Sequence, residues 1–283
     1  MNVSYDDAGM GEPAVVLIHG WAFGNRSHLV PQFEHLSASR RVILLDLPGQ
    51  GGSDRVPAGF GFGECAAAAA RVVEAAGIAQ AVLCGHSFGG RVAVELAAAH
   101  PERVAGIALV DPVLLFPAPV REQATRLASA LESDGWRLAL QDYFSALLSP
   151  DDPPDVRSKI VAELGGVDRN LGAQVMRAGM AADGSDALAR VRCPVLVIRR
   201  PETPIDVERL QELQPQASVA ESVGTGHWMT LSVPDQVNAV LDRFLGGLAE
   251  ASPRSANGSP RDLAVTGGAG SVRAAEPLQS STS

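Results

Sequence analysis

At 283 residues with 46% apolar content, the chain is long enough for one large α/β domain or two smaller ones, and rich enough for a sizeable core. A net charge of -9 and no cluster of Lys and Arg exclude a nucleic-acid partner, because neutralising phosphates needs grouped cations. Three distant cysteines, Cys65, Cys84 and Cys193, indicate neither a disulfide framework nor a zinc site, and the first residues lack a leader's basic and apolar regions, so with no membrane-span stretch the expected location is cytoplasmic.

Residues 14–18 form a continuous apolar, β-branched run, the pattern of a strand buried on both faces of a parallel sheet. It ends in His19-Gly20-Trp21-Ala22-Phe23-Gly24. A helix is expected near 27–38, then a second buried strand over 41–45 that ends in the Pro- and Gly-rich loop 46–54. Ala66 to Ala70 and Val72-Val73 predict a helix over 63–76, with Gly77 beyond its end.

The next apolar run, from Ala81, enters Gly85-His86-Ser87-Phe88-Gly89, and a helix follows to about His100. Residues 104–110 are another buried strand, ending at Asp111-Pro112. Four strands alternating with helices predict an α/β fold with a doubly wound, mostly parallel sheet.

From 113 to 190 the strand pattern stops, and amphipathic stretches such as 121–131 and 136–148, broken by Pro150, Pro153 and Pro154, predict a helical insertion. The sheet resumes at 194–199, followed by a helix near 206–213, a strand near 218–222 and a last helix from Pro234 to about Leu248. After Glu250 the Ser, Gly, Ala, Pro and Thr composition buries too little surface to offset the entropy of ordering. The expected organisation is a core in two parts, 1–112 and 191–250, a helical cap over 113–190, and a disordered tail over 251–283.

Ligands of open α/β sheets bind beyond the carboxyl ends of the strands, where His19, Asp46, Ser87, Asp111 and the loop after Ile198 all fall. The turn around Ser87 carries the most chemistry: glycines on both sides allow a strand to reverse directly into a helix, lifting the hydroxyl near a helix N-terminus. A hydroxyl needs a base to take its proton. Of six histidines, His86 is expected to turn away from Ser87, His19 to support its own loop, and His28, His35 and His100 to lie on surface helices. His227, in Gly224-Thr225-Gly226-His227-Trp228 after the last strand, is the expected base. The backbone N–H groups of Trp21 and Phe88 are the expected oxyanion donors, and Trp21 and Phe23 are candidates for an apolar acyl pocket or for the core.

His-Gly-Trp at 19–21, Asp-Leu-Pro-Gly-Gln-Gly-Gly-Ser-Asp at 46–54, Gly-His-Ser-Phe-Gly-Gly at 85–90, Ala-Leu-Val-Asp-Pro at 108–112 and Gly-Thr-Gly-His-Trp at 224–228 resemble the α/β-hydrolase fold family. The resemblance spans about residues 3 to 250 and looks nearest to small carboxylesterases related to pimeloyl-acyl-carrier-protein methyl esterase. In that family the third triad member usually ends a Gly-x-x-Asp turn after the strand matched here by 194–199. This chain has Arg200-Pro201-Glu202-Thr203 there, and a threonine cannot offset an imidazolium charge.

Three carboxylates remain for the acid. Asp111 ranks first, because some family members draw their acid from the end of the preceding strand; Glu202 and Asp206, flanking the usual position, follow. An aspartate nucleophile of the dehalogenase or epoxide-hydrolase kind is excluded by Ser87. Neither metal-ligand spacing nor a phosphate-cradling loop occurs, so no cofactor is implied.

The resemblance implies a serine hydrolase that cleaves an ester, thioester or lactone through an acyl-enzyme. Its expected partner is a small molecule with an apolar acyl or ring group, neither a nucleic acid nor a membrane. Two other readings stay open at this point: a cofactor-free oxygenase or cyclase-like enzyme using His227 and an acid as base, and a non-catalytic ligand-binding member of the fold.

Overall fold

The computed structural model describes residues 1–21, 26–56, 61–181, 183–251 and 268–273. Its strands are β1 (Asn2–Ala8), β2 (Ala14–Ile18), β3 (Val42–Leu45), β4 (Ala81–His86), β5 (Val104–Val110), β6 (Val195–Arg199), β7 (Ser218–Glu221) and β8 (Gly268–Arg273). They form one sheet in the order β7-β6-β5-β4-β2-β3-β1-β8. From β3 to β7 every pairing is parallel, whereas β1 runs antiparallel to β3 and β8 antiparallel to β1.

The continuous apolar runs are explained by burial on both faces. Successive side chains of a strand point to opposite faces. Val16, Ile18, Ile43, Leu45, Leu83 and Leu109 therefore join one core, while Val15, Leu17, Val42, Leu44, Val82 and Val110 join the other. The first core includes α2 (Phe62–Ala75), α3 (Phe88–Ala99) and the helices between β5 and β6; the second includes α1 (Val30–Ser37) and residues of the last helix. The alanine run of α2 gives a flat surface, with Ala66, Ala68 and Ala69 buried and the helix packed on α3.

Between β5 and β6 lie α4 (Ala118–Leu131), α5 (Trp136–Ala146), α6 (Pro154–Glu163), α7 (Arg169–Ala181) and the short α8 (Ser185–Leu188). After β6 come α9 (Val207–Leu213), α10 (Met229–Ser232) and α11 (Pro234–Ala251). Among the described residues, no helix is long and apolar enough to cross a membrane.

Of the segment expected to be disordered, residues 268–273 form β8, whose backbone pairs with β1 from Asn2 opposite Arg273 to Asp7 opposite Gly268. The other residues from 252 onward lie outside the described ones.

Parallel pairing brings the ends of β2, β4, β5, β6 and β7 to one edge. Gly85 pairs with Ile18 and Leu109, His86 with Val110, and Val110 with Ile198. The turn at Ser87 is crowded: a Cβ on Gly85 would stand 2.2 Å from the Gly89 carbonyl oxygen, and one on Gly89 would stand 2.1 Å from that of Ile18. Gly89→Ala is therefore expected to destabilise the fold by about 3 kcal/mol or more, read as a lower midpoint in urea unfolding.

Candidate active site

Ser87 occupies the turn between β4 and α3 with φ 55° and ψ -117°, a left-handed backbone that a non-glycine residue adopts only under constraint. Its N–H donates to the Val110 carbonyl and its own carbonyl accepts from Val113, so the turn is tied to both ends of the β5 exit. Phe88 is the first residue of α3, where helix N–H groups have no partner within the helix. Trp21 and Phe88 both line the cavity on which Ser87 opens. Phe23 lies outside the described residues.

That cavity holds about 30 Å³ and is walled by Trp21, Phe88, Tyr143, Phe144, Met176 and Trp228, with Ser87, His86, His28 and His227 supplying its polar groups. Phe144 ties the wall together, its ring centroid lying 5.9 Å from those of both Trp21 and Trp228. Volume of this order holds about one or two waters.

His227 arrives on the loop after β7. Its Nδ1–H donates to Asp111 Oδ2 at 2.5 Å, leaving Nε2 as the nitrogen available to Ser87 across their shared cavity. Asp111 follows β5 in a left-handed conformation, φ 42°, and is 3% exposed. Burial pushes its carboxyl up, but the hydrogen bond and charge of His227, with Arg200 and Thr203, outweigh burial and hold it down to about 2. Asp111 is thus a carboxylate at any working pH.

Thr203, at the position where the resemblance leads one to expect an acid, supports an acid instead. Its hydroxyl donates to Asp111 Oδ1 and accepts the Arg200 N–H at 3.0 Å, while Arg200 Nε lies 3.2 Å from Asp111 Oδ2. The other two carboxylates are engaged elsewhere. Glu202 is exposed and 3.6 Å from Arg200, and Asp206 is exposed and caps α9 by accepting the Arg209 N–H at 2.9 Å. The structure brings together Ser87, His227, Asp111, Trp21 and Phe88, and gives Glu202 and Asp206 no contact with His227.

Three further histidines take distinct places. His19 is buried, donates from Nδ1 to the Gly20 carbonyl and accepts the Leu47 N–H on Nε2, and burial lowers its pKa to about 4. His86, expected to turn away from Ser87, lines the same cavity and stands against the His227 ring, centroids 4.7 Å apart, with its Nε2–H donating to the His227 carbonyl at 2.9 Å. Burial, then the charge of His227, lower its pKa to about 3. His28 is not a surface residue either: it is 4% exposed, lines the cavity and lies 2.6 Å from Glu163 of α6. Among the described residues no group of His, Cys, Asp and Glu gathers that could hold a metal ion.

The neutral His19 and His86 set an acid limit. Each takes up a proton readily only when unfolded, so stability is intact above pH about 6.5 and falls as pH drops toward their folded values. Urea unfolding between pH 6 and 4.5 should show a slope of up to about 1.4 kcal/mol per pH unit for each ring, and His86→Gln should remove one such contribution.

Across residues 15–240 the chain matches the model of the Alpha/beta hydrolase family. The chain belongs to the alpha/beta hydrolase family. It is an enzyme of that family. Relatives of this α/β hydrolase include RutD of Azorhizobium caulinodans, a protein named for carbamate hydrolysis, 30% identical over 86% of this chain and 94% of that one. A pimeloyl-[acyl-carrier protein] methyl ester esterase of Stenotrophomonas maltophilia is 28% identical over 87% of this chain and 97% of its own. Among solved structures, a thermophilic esterase from Thermogutta terrifontis superposes with a TM-score of 0.75 at 25% identity, over 87% of this chain and 93% of the other.

Proposed function

We propose that this α/β hydrolase cleaves a carboxylic ester, thioester or lactone through an acyl-enzyme on Ser87. The carrying observation is the strained Ser87 turn on a cavity shared with His227, whose Nδ1 lies 2.5 Å from the buried Asp111. His227 Nε2 takes the Ser87 proton as Oγ attacks the carbonyl carbon, and Asp111 holds the ring in the tautomer that frees Nε2 and offsets the imidazolium. The N–H groups of Trp21 and Phe88 receive the oxyanion. His227 then protonates the leaving oxygen or sulfur, and water attacks the acyl-enzyme by the same relay.

Relatives named for ester and carbamate hydrolysis support attack at a carboxyl carbon. Asp111 beside His227 also suits the cofactor-free oxygenase reading, in which Ser87 only binds substrate; the relatives named for hydrolysis favour the acyl-enzyme. The aromatic and aliphatic walls fit an apolar acyl or ring group, with the helices of 113–190 as the cap. A cavity of about 30 Å³ admits a substrate only when those walls part. With p-nitrophenyl acetate, butyrate, benzoate and palmitate, the expected order of kcat/KM favours the short and ring esters over palmitate. No turnover of any of them by folded protein, or oxygen uptake in their place, would contradict the proposal.

A further inference from the structure

The base loop is held from the helical segment, and by a carboxylate that takes no part in the relay. Asp152 lies in the turn 149–152 between α5 and α6 and is 2% exposed. Its Oδ2 accepts the Ser149 N–H at 2.7 Å, within its own turn. Its Oδ1 accepts the Gly226 N–H at 2.8 Å and faces the Thr225 hydroxyl at 3.5 Å, across 73 and more residues of sequence. Among the described residues no Lys, Arg or His lies within ion-pairing distance of it. A buried carboxylate without a cation is costly unless N–H groups solvate it, and here Ser149 of its own turn and Gly226 of the loop carrying the base provide them.

The neighbouring peptide groups are held as well. The His227 N–H donates to the Leu147 carbonyl at 2.9 Å, and the His227 carbonyl accepts from His86. Gly226 allows this close approach, since a Cβ there would stand 2.6 Å from both Asp152 Oδ2 and the Leu147 oxygen and 2.7 Å from the Ser149 nitrogen.

We infer that Asp152 is a positioning residue for His227: it fixes the backbone from which the imidazole reaches between Asp111 and Ser87. The inference rests on the reading of His227 as the base. Because residues 147–152 join two helices of the cap, the seating of that cap and the position of the base change together.

Asp152→Asn keeps an acceptor for Gly226 but sets an amide NH₂ against the Ser149 N–H. Gly226→Ala drives the same two segments apart from the other side. In the full-length protein, both are expected to lower kcat on p-nitrophenyl butyrate by about 10²-fold, the cost of a misplacement near 1 Å. Asp152 does not line the cavity, so KM should stay within about twofold. The far-downfield proton resonance of the His227–Asp111 hydrogen bond, assigned by its loss in Asp111→Asn, should shift or broaden in both variants. A folded Asp152→Asn protein with wild-type kcat and an unmoved resonance overturns the inference. So does loss of the folded state in both variants, because Asp152 would then hold the fold and not the base. The resonance needs no turnover, so failure here is distinguishable from failure of the acyl-enzyme proposal, which shows as turnover that survives in Ser87→Ala.

Discussion

Replacing Ser87 by alanine is expected to lower ester turnover by about 10⁶-fold, the scale on which removal of an activated serine disables a hydroxyl-based relay. The reason is local. Position 87 is where β4 gives way to α3 and is held at φ 55° by Gly85 and Gly89, which pack without side chains against neighbouring backbone. The fold supports a strained backbone there in either case, so Ser87→Ala should keep the wild-type unfolding midpoint while losing activity. A small rate above that of water should survive, because the N–H groups of Trp21 and Phe88 still polarise a bound carbonyl.

Asp111→Asn is expected to cost about 10⁴-fold in kcat, since an amide in place of the acceptor favours the wrong tautomer of His227. Glu202→Gln and Asp206→Asn should change kcat by less than about twofold, being exposed and bonded to Arg200 and to the α9 terminus respectively. Thr203→Val should fall between these extremes: it removes a hydroxyl that donates to Asp111 and accepts from the Arg200 backbone, but leaves the carboxylate in place. Steady-state rates on p-nitrophenyl butyrate rank the four variants, and a larger loss in Glu202→Gln or Asp206→Asn than in Asp111→Asn would reject the assignment of the acid.

The strands between 14 and 199 are legible because strands buried on both faces cannot tolerate polar residues, leaving runs such as 14–18 and 104–110 with one reading. β1 is not legible in the same way. Asn2–Ala8 lies antiparallel near the sheet's edge, with Val3 alone fully buried, and its Asp6 and Asp7 look like loop residues. α6 was obscured by Pro153 and Pro154, which read as breakers although proline at the first helical position starts a helix.

The site shows the same division. Ser87 and His227 carry local signals, glycines that permit a tight turn or a close approach. The support of Asp111 by Thr203, 92 residues away, leaves no local trace, nor does the pairing of His28 with Glu163 across 135 residues. Those contacts exist only because β5 and β6 are neighbours and because α6 folds over the site. The family resemblance therefore marks Thr203 as the place of a missing acid, where the three-dimensional arrangement makes it a hydrogen-bond donor to the Asp111 carboxylate.

The most direct test is covalent trapping. The protein is incubated with a fluorophosphonate probe and digested, and the modified peptide is identified by mass spectrometry. The account predicts stoichiometric attachment at Ser87, abolished in Ser87→Ala and slowed strongly in His227→Gln and Asp111→Asn. Folded wild-type protein that stays unlabelled, or carries the probe on another residue, would contradict it.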